Sequence, residues 1–190
     1  MSSDEFSKHG FKQASLNRII AQVGMSKSSF YHYFSDKSDL FRQTLEHTLK
    51  PALDLHHLVD IDNLTADTLW PALMQMVQDM KVIVEKSPEM VTAGRMFYRC
   101  LENNEDRALT EEIIGDFSNW ITLLLQRGQA LGIFRTDLPE SLLIDMLMAM
   151  GMAMDRWILT HYEDLSEPEM AELTENGFDL FLHFLSPIPG

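Results

Sequence analysis

Apolar side chains recur every three or four residues along most of this chain, which is the spacing of amphipathic helices. No stretch alternates apolar and polar residues as a half-buried strand does, and the Asn-Gly pair at 176–177 lies inside a helical pattern. The pattern therefore predicts an all-α fold. The predicted helices cover about 15–22, 26–33, 36 to beyond 49, 66–86, 88 onwards, 105–131, 139–162 and 167–185.

Two short helices follow each other closely in the stretch SLNRIIAQVGMSKSSFYHYF, residues 15–34. The first has an apolar face that should be buried, comprising Leu16, Ile19, Ile20 and Val23. Gly24 then permits a tight turn, and Ser26 can cap the second helix. Two helices joined by a glycine-containing turn are typical of the helix-turn-helix, whose second helix enters the major groove of DNA.

The second helix separates its apolar side chains from its polar ones. Phe30 and Phe34 are four residues apart, so both should face inward. Hydrogen-bonding side chains occupy other positions, namely Lys27, Ser28, Ser29, Tyr31 and His32. The next helix has Asp36 as its cap and Asp39 three residues later. Lys37 lies beside that N-terminus, where free N–H groups and a cation can meet one phosphate.

The stretch GFKQASLNRIIAQVGMSKSSFYHYFSDKSDLF, residues 10–41, resembles the tetracycline-repressor-like (TetR) family of transcriptional regulators. The resemblance implies a homodimer with a helix-turn-helix DNA-binding domain, here residues 1–47, and a helical effector-binding and dimerisation domain, here residues 48–190. It also implies a palindromic double-stranded DNA operator and repression that a small effector relieves. The positions that match the family's DNA-facing residues are Ser15, Lys27, Ser28, Ser29, Tyr31, His32 and Lys37.

The first helix departs from the family pattern. Nine residues precede Gly10 in this sequence and two of them, Asp4 and Glu5, are acidic, so we expect a shortened first helix without a basic arm. Phe6 could still cover the next two helices. Two explanations are open: the true start lies upstream, or the chain has lost part of this helix. In the second case the protein is a ligand- or partner-binding helical dimer that no longer binds DNA.

The net charge of −14 is divided unevenly along the chain. Residues 1–50 contain seven Lys/Arg and five Asp/Glu, a balance of +2, whereas residues 51–190 contain eight and twenty-four, a balance of −16. The first part can approach phosphate, and the second is repelled by it. No apolar run is long enough to span a membrane and the start has no apolar signal segment, so we expect a cytoplasmic protein without membrane contact.

The acidic part is rich in methionine and aromatic residues, which suit a malleable pocket for a hydrophobic effector. The candidates for lining this pocket are Trp70, Met74, Phe97, Tyr98, Phe117, Trp120, Met150, Met154 and Trp157. Ordinary core packing is the alternative role for each of these side chains. A cation held by aromatic faces and carboxylates is the alternative to a neutral, acyl-type effector.

Five methionines alternate along DMLMAMGMAM, residues 145–154. On a helix, Met146, Met150 and Met154 share one side, and Met148 and Met152 lie nearly opposite. A helix that is apolar on two sides should be buried on both. In the TetR family the last two helices form the dimer interface, so one row should meet the partner subunit. The residues predicted for that interface are Met148, Met152, Leu159, Phe178 and Phe181.

The stretch DLHHLVD supplies Asp54, His56, His57 and Asp60, residue types that can ligate a divalent metal ion. On a helix, however, Asp54 and His57 share a face from which His56 points away, and no second cluster has ligand spacing. We therefore expect a solvated helix end, with no metal and no other cofactor. A phosphate loop, a nucleophile elbow and an HExxH motif are all missing, so we expect no enzymatic activity.

Overall fold

The computed structural model describes residues 2–102 and 108–187, and over this part of the chain it contains helices and no strands, which confirms the all-α prediction. The α-helices are α1 (Ser2–Gln13), α2 (Leu16–Gln22), α3 (Lys27–Tyr33), α4 (Lys37–Leu53), α5 (Leu69–Lys86), α6 (Glu89–Glu102), α7 (Ala108–Ala130), α8 (Glu140–His161) and α9 (Glu167–Leu185). Two short 3-10 helices, Asp54–Leu58 and Ile61–Asn63, follow α4. Among the described helices, none is long and apolar enough to cross a membrane.

Each predicted helix has a counterpart, and the differences lie at the ends. α5 begins at Leu69 instead of near residue 66, because residues 66–68 form a turn. The predicted helix 105–131 corresponds to α7, and its positions 105–107 lie outside the described residues. The two 3-10 helices have no counterpart in the sequence prediction.

The chain divides into two compact units. Unit 1 comprises Met1–Pro51 with Lys86–Glu112, and unit 2 comprises Ala52–Glu85 with Ile113–Gly190. Helix α6 therefore belongs with the N-terminal helices, although the segment 52–85 separates it from them along the chain.

The core of unit 1 is largely aromatic. Phe6 of α1, Phe30 of α3 and Phe41 of α4 are almost completely buried. The rings of Phe6 and Phe41 meet edge to face, with 4.8 Å between centroids. Phe34 packs against the same core, 5.2 Å from Phe30, which confirms the predicted inward face of α3. Each of these buried rings stabilises the fold by about 1.5–3 kcal/mol relative to an exposed one.

The predicted buried face of α2 is wrong at one position. Ile19 and Ile20 are buried, but Val23 is 40% exposed. α2 ends at Gln22, and Val23 is its C-cap. Gly24 follows with φ at 67°, a left-handed conformation that favours glycine, so the chain turns away before a further helical position can be buried.

Two glycines of unit 2 allow neighbouring elements to approach closely. Gly177 on α9 is buried, and a Cβ atom there would lie 2.5 Å from Sδ of Met154 on α8. Gly128 on α7 lies against Phe134, and a Cβ atom there would overlap the phenyl ring. Phe134 is itself buried in the core of unit 2, so its ring cannot move into solvent.

We predict that Gly128→Ala destabilises the protein by roughly 1–3 kcal/mol, because the added methyl group collides with the buried ring of Phe134. Gly115→Ala is the matched control on the same helix, since a Cβ atom there meets nothing within 4 Å. It should be neutral or stabilise by up to about 1 kcal/mol, through helix propensity. Denaturant unfolding measures both changes, and equal effects at the two positions would contradict this packing.

Candidate nucleic-acid interface and effector region

Helix α3 presents a polar, solvent-exposed face. Tyr31 is 58% and Tyr33 64% exposed, while Phe30 between Ser29 and Tyr31 is buried. One open concave surface is formed by Ser28, Ser29, Tyr31, His32 and Tyr33. Four of these residues belong to the predicted DNA-facing set. Tyr33 does not, and helical spacing could not have indicated it, because residues two apart on a helix do not share a face.

The first turn of α3 is held by a serine cap. Ser26 Oγ accepts a hydrogen bond from the Ser29 backbone N–H at 3.0 Å and lies 2.9 Å from Ser29 Oγ. The Ser29 hydroxyl is therefore engaged in a hydrogen bond with the capping residue Ser26. The neighbouring Lys27 and Ser28 are exposed. The cap stabilises the helix end and fixes the direction in which these side chains leave it.

Ser15 is partly buried and joins α1 to α2. Its hydroxyl accepts a hydrogen bond from the Arg18 N–H at 3.4 Å, so Ser15 is the N-cap of α2. Its own N–H donates to Glu5 Oε1 at 2.9 Å, and Arg18 Nε lies 3.1 Å from the same oxygen. A buried carboxylate requires such partners, and Glu5 uses them to hold α1 against the start of α2.

Lys37 is engaged within unit 1. Its ammonium group donates to the carbonyl oxygens of Lys12 at 3.1 Å and Ala14 at 3.3 Å, and lies 4.8 Å from the centre of the Phe11 ring. An ammonium group has three N–H donors. Lys37 thus fastens the end of α1 to the start of α4, and a phosphate contact would use the donor that points outward.

The link between α3 and α4 is organised by two aspartates. Asp36 Oδ1 accepts a hydrogen bond from the Asp39 N–H at 2.9 Å, which confirms Asp36 as the cap of α4. Asp39 Oδ2 accepts from the Ser35 N–H at 2.9 Å, one residue earlier than a capping box would have it. This bond, together with one from the Gln43 amide, holds the pKa of Asp39 below its ordinary value.

The N-terminal part of the chain matches a known family. Residues 2–44 fit the family model described as bacterial regulatory proteins, tetR family, and they include α1 to α3 and part of α4. Over these residues the chain is similar to the tetR family. The sequence resemblance is thereby confirmed.

Similar proteins include a curated repressor and several solved structures. The HTH-type transcriptional repressor NicS of Pseudomonas putida is 27% identical over 138 residues, which cover 70% of this chain and 62% of NicS, so the chain spans less than two thirds of that relative. FadR from Bacillus subtilis, solved in complex with stearoyl-CoA, superposes with a TM-score of 0.76 at 15% identity, covering 97% of this chain and 95% of FadR. A tetR-family protein from Rhodococcus RHA1 gives 0.70 at 16% identity, covering 99% and 94%. At such identities these structures show the common fold.

The predicted effector residues fall into separate groups in this structure. Phe117 and Trp120 stack on α7 with 5.5 Å between ring centroids. Trp70 instead packs against Phe134 at 5.2 Å and Phe178 at 5.7 Å. Trp157 is 47% exposed.

The remaining predicted effector residues are distributed over three helices. Met74 and Met150 are partly buried on α5 and α8, and Met154 packs on Gly177. Phe97 and Tyr98 lie on α6 with 5.3 Å between their rings and are part of unit 1. The structure therefore brings Phe117 and Trp120 together directly, and the complete set stays a prediction.

His56 is 4% exposed, so the expectation of a solvated helix end is wrong for this residue. The segment Asp54–Leu58 is a 3-10 helix, and Asp116 on α7 lies beside its two histidines, a neighbour that sequence spacing did not reveal. Nε2 of His56 and Nε2 of His57 lie 3.2 Å and 3.1 Å from the same atom, Oδ2 of Asp116. The His56 ring also meets the rings of Phe117 and Trp120, at 5.6 Å each.

The neutral form of His56 is favoured by its surroundings. Burial lowers the pKa of His56 below its ordinary value, and the neighbouring His57 acts in the same direction. Asp116 and a hydrogen bond to the Leu53 backbone oppose this effect without reversing it.

The residues predicted for the dimer interface are partly buried within one chain. Met148, Met152 and Leu159 on α8 have intermediate exposure. Phe178 contacts Trp70, and Phe181 Cζ lies 4.0 Å from the position of a Cβ atom on Gly151. A different stripe of α8 is exposed and apolar, comprising Leu142, Met146, Ala149, Ala153 and Trp157.

We predict that Lys37→Ala lowers the free energy of unfolding by an amount on the order of 1 kcal/mol, because two carbonyl groups lose a charged donor at a partly exposed site. Lys27→Ala is the control, since Lys27 is exposed on α3, and it should change stability by less than about 0.5 kcal/mol. Thermal and denaturant unfolding compare the two variants. The assigned role of Lys37 is wrong if both variants are as stable as the parent.

Proposed function

We propose that this chain is a DNA-binding transcriptional repressor that a small hydrophobic effector releases from a palindromic operator, and that it acts as a homodimer. The observation on which this proposal rests is the exposed polar face of α3, which lies within the segment that matches the tetR family. NicS, the curated relative, is itself a transcriptional repressor. A bacterial protein that binds chromosomal DNA acts in the cytoplasm, and we propose this location here. We propose no enzymatic activity.

The proposed DNA contact is supported by the exposure of side chains on α3 and by the charge balance of the chain. Lys27, Ser28, Tyr31 and His32 are exposed on α3, and their side chains can donate hydrogen bonds to phosphate or to base edges. The positive balance of residues 1–50 favours phosphate, and the strongly negative remainder keeps the rest of the surface away from DNA. The predicted contacts of Ser15 and Lys37 would add to their structural roles.

We predict that Lys27→Ala weakens binding to duplex DNA taken from the flanks of the protein's own gene and reduces the slope of log affinity against log salt by about 1. Lys81→Ala, which removes a lysine that pairs with Glu85 in unit 2, is the control and should leave both quantities unchanged. Fluorescence anisotropy at several salt concentrations measures them.

Two other outcomes of this titration argue against the proposal. Equal affinities and slopes for Lys27→Ala and the parent would remove Lys27 from the interface. Absence of saturable binding by the folded parent would instead support the helical dimer that does not bind DNA.

We expect the effector to combine an apolar body with a hydrogen-bond acceptor that binds in unit 2. Trp120 is buried, and its indole Nε1–H has no hydrogen-bond partner among the described residues. A buried donor without an acceptor costs about 1–3 kcal/mol, and an ester or carbonyl oxygen of an effector would recover that energy. The stacked Phe117 ring would cover the apolar body. The FadR relative was solved with stearoyl-CoA, a ligand of this general character.

Helix α4 is the element through which effector binding would reach the DNA-binding helices. It begins in unit 1 at Lys37, and its last residues, 52–53, belong to unit 2. A shift of α4 would change the separation of the two α3 helices in a dimer, so that they no longer match half-sites about one DNA turn apart. Release requires that the effector binds the non-operator form more tightly than the operator-bound form.

Dimerisation is supported by the exposed apolar stripe on α8. Leu142, Met146 and Trp157 are 43%, 38% and 47% exposed, and the small residues Ala149 and Ala153 lie between them. These positions share one side of the helix. Leu180 on α9 adds a further exposed apolar side chain. Large exposed apolar stripes are typical of protein–protein interfaces, and α8 and α9 are the helices from which the predicted interface residues come.

We predict that Trp157→Glu shifts the monomer–dimer equilibrium towards monomer by at least about tenfold, because a charge would be buried in the interface. Leu58→Glu is the control, since Leu58 is 76% exposed outside α8 and α9. Met152→Glu tests the predicted row of Met148, Met152 and Leu159 separately. Sedimentation velocity at several concentrations measures the equilibrium. A Trp157→Glu variant that is as dimeric as the control would contradict the assignment of the exposed α8 stripe to the dimer interface.

A further inference from the structure

Three possible metal ligands converge in unit 2. One ligand atom each from His56, His57 and Asp116 can be chosen so that all lie within 4.8 Å of one another. Two imidazoles and one carboxylate form a ligand set that borderline divalent transition metals accept. Neither the proposed DNA contact nor the aromatic effector contacts account for this convergence.

Two of the three distances between the ligand atoms match those around a tetrahedral ion. Zinc binds imidazole nitrogen and carboxylate oxygen at about 2.0–2.2 Å, so neighbouring ligand atoms around it are about 3.3 Å apart. The two Nε2 atoms lie 3.2 Å and 3.1 Å from Asp116 Oδ2. The two histidine nitrogens lie within 4.8 Å of each other, so the three atoms surround a space of the size of one ion.

The buried histidine is held in place by its neighbours. Nε2 of His56 lies 3.2 Å from Asp116 Oδ2. The edges of Phe117 and Trp120 further restrict the His56 ring.

We propose that His56, His57 and Asp116 bind one divalent transition-metal ion of the Zn²⁺ class. His57 and Asp116 are each more than half exposed, so the ion can enter from solvent and keep a coordination position open. Three protein ligands with an open position are typical of zinc sites that bind a further group.

The test is a titration of the chelator-treated full chain with Co²⁺, followed by visible absorption and by displacement with Zn²⁺. We expect one ion per chain and a rise in melting temperature with Zn²⁺, because an ion that binds the folded state stabilises it. His57→Ala and Asp116→Asn should each weaken binding at least tenfold. Both residues are exposed, so these variants should fold, which the buried His56 does not guarantee.

Matched controls come from the same unit. His183→Ala and Asp62→Asn remove an exposed histidine and an exposed aspartate, and both should bind Co²⁺ like the parent. Equal affinity in all four variants would mean adventitious surface binding and would overturn the proposal. So would failure of the parent to bind one equivalent, in which case a proton on Nε2 of His56 satisfies Asp116.

Discussion

The burial of Phe30 is the contact on which the candidate DNA interface depends. Helix α3 has only seven residues, and a helix of that length is not stable alone in water. Its orientation comes from the Phe30 ring, which is buried in the core that also contains Phe6 and Phe41. With Phe30 directed inward and Ser26 capping the first turn, Tyr31 and its polar neighbours are directed outward. The chemistry proposed for this face thus rests on packing on the opposite side.

Charged side chains hold the first helix onto that core. Glu5 is buried and accepts hydrogen bonds from the start of α2, while Lys37 donates to the backbone at the end of α1. Glu5 lies in the first half of α1, and Lys37 binds the backbone at its last residues. The helix is therefore held near both of its ends. This explains why α1 can place Phe6 in the core although φ at Gly10 interrupts its helical geometry. It also means that Lys37, which is predicted to face DNA, has a structural role.

The helices and their caps could be predicted because they depend on neighbours in sequence. Ser26 and Asp36 cap as expected, since each needs only an N–H three residues ahead. Val23 could not be placed, because its exposure depends on where α2 ends. The burial of His56 was missed for a different reason: its surroundings come from Asp116 and Phe117, some sixty residues away along the chain. The role of the Met148 row in a dimer interface stays a prediction, because the sequence pattern of one chain does not specify contacts with a second chain.

The central claim is that α3 reads DNA as part of a two-fold symmetric dimer. Footprinting of the folded protein on the DNA that flanks its own gene tests this claim most directly. The account predicts a protected region containing two inverted half-sites whose centres are about 10 base pairs apart, or a multiple of that spacing. Protection should be lost when Lys27 and Tyr31 are both replaced by alanine. A folded parent that protects no region at low salt, or a double variant that protects the same region equally well, would contradict the account.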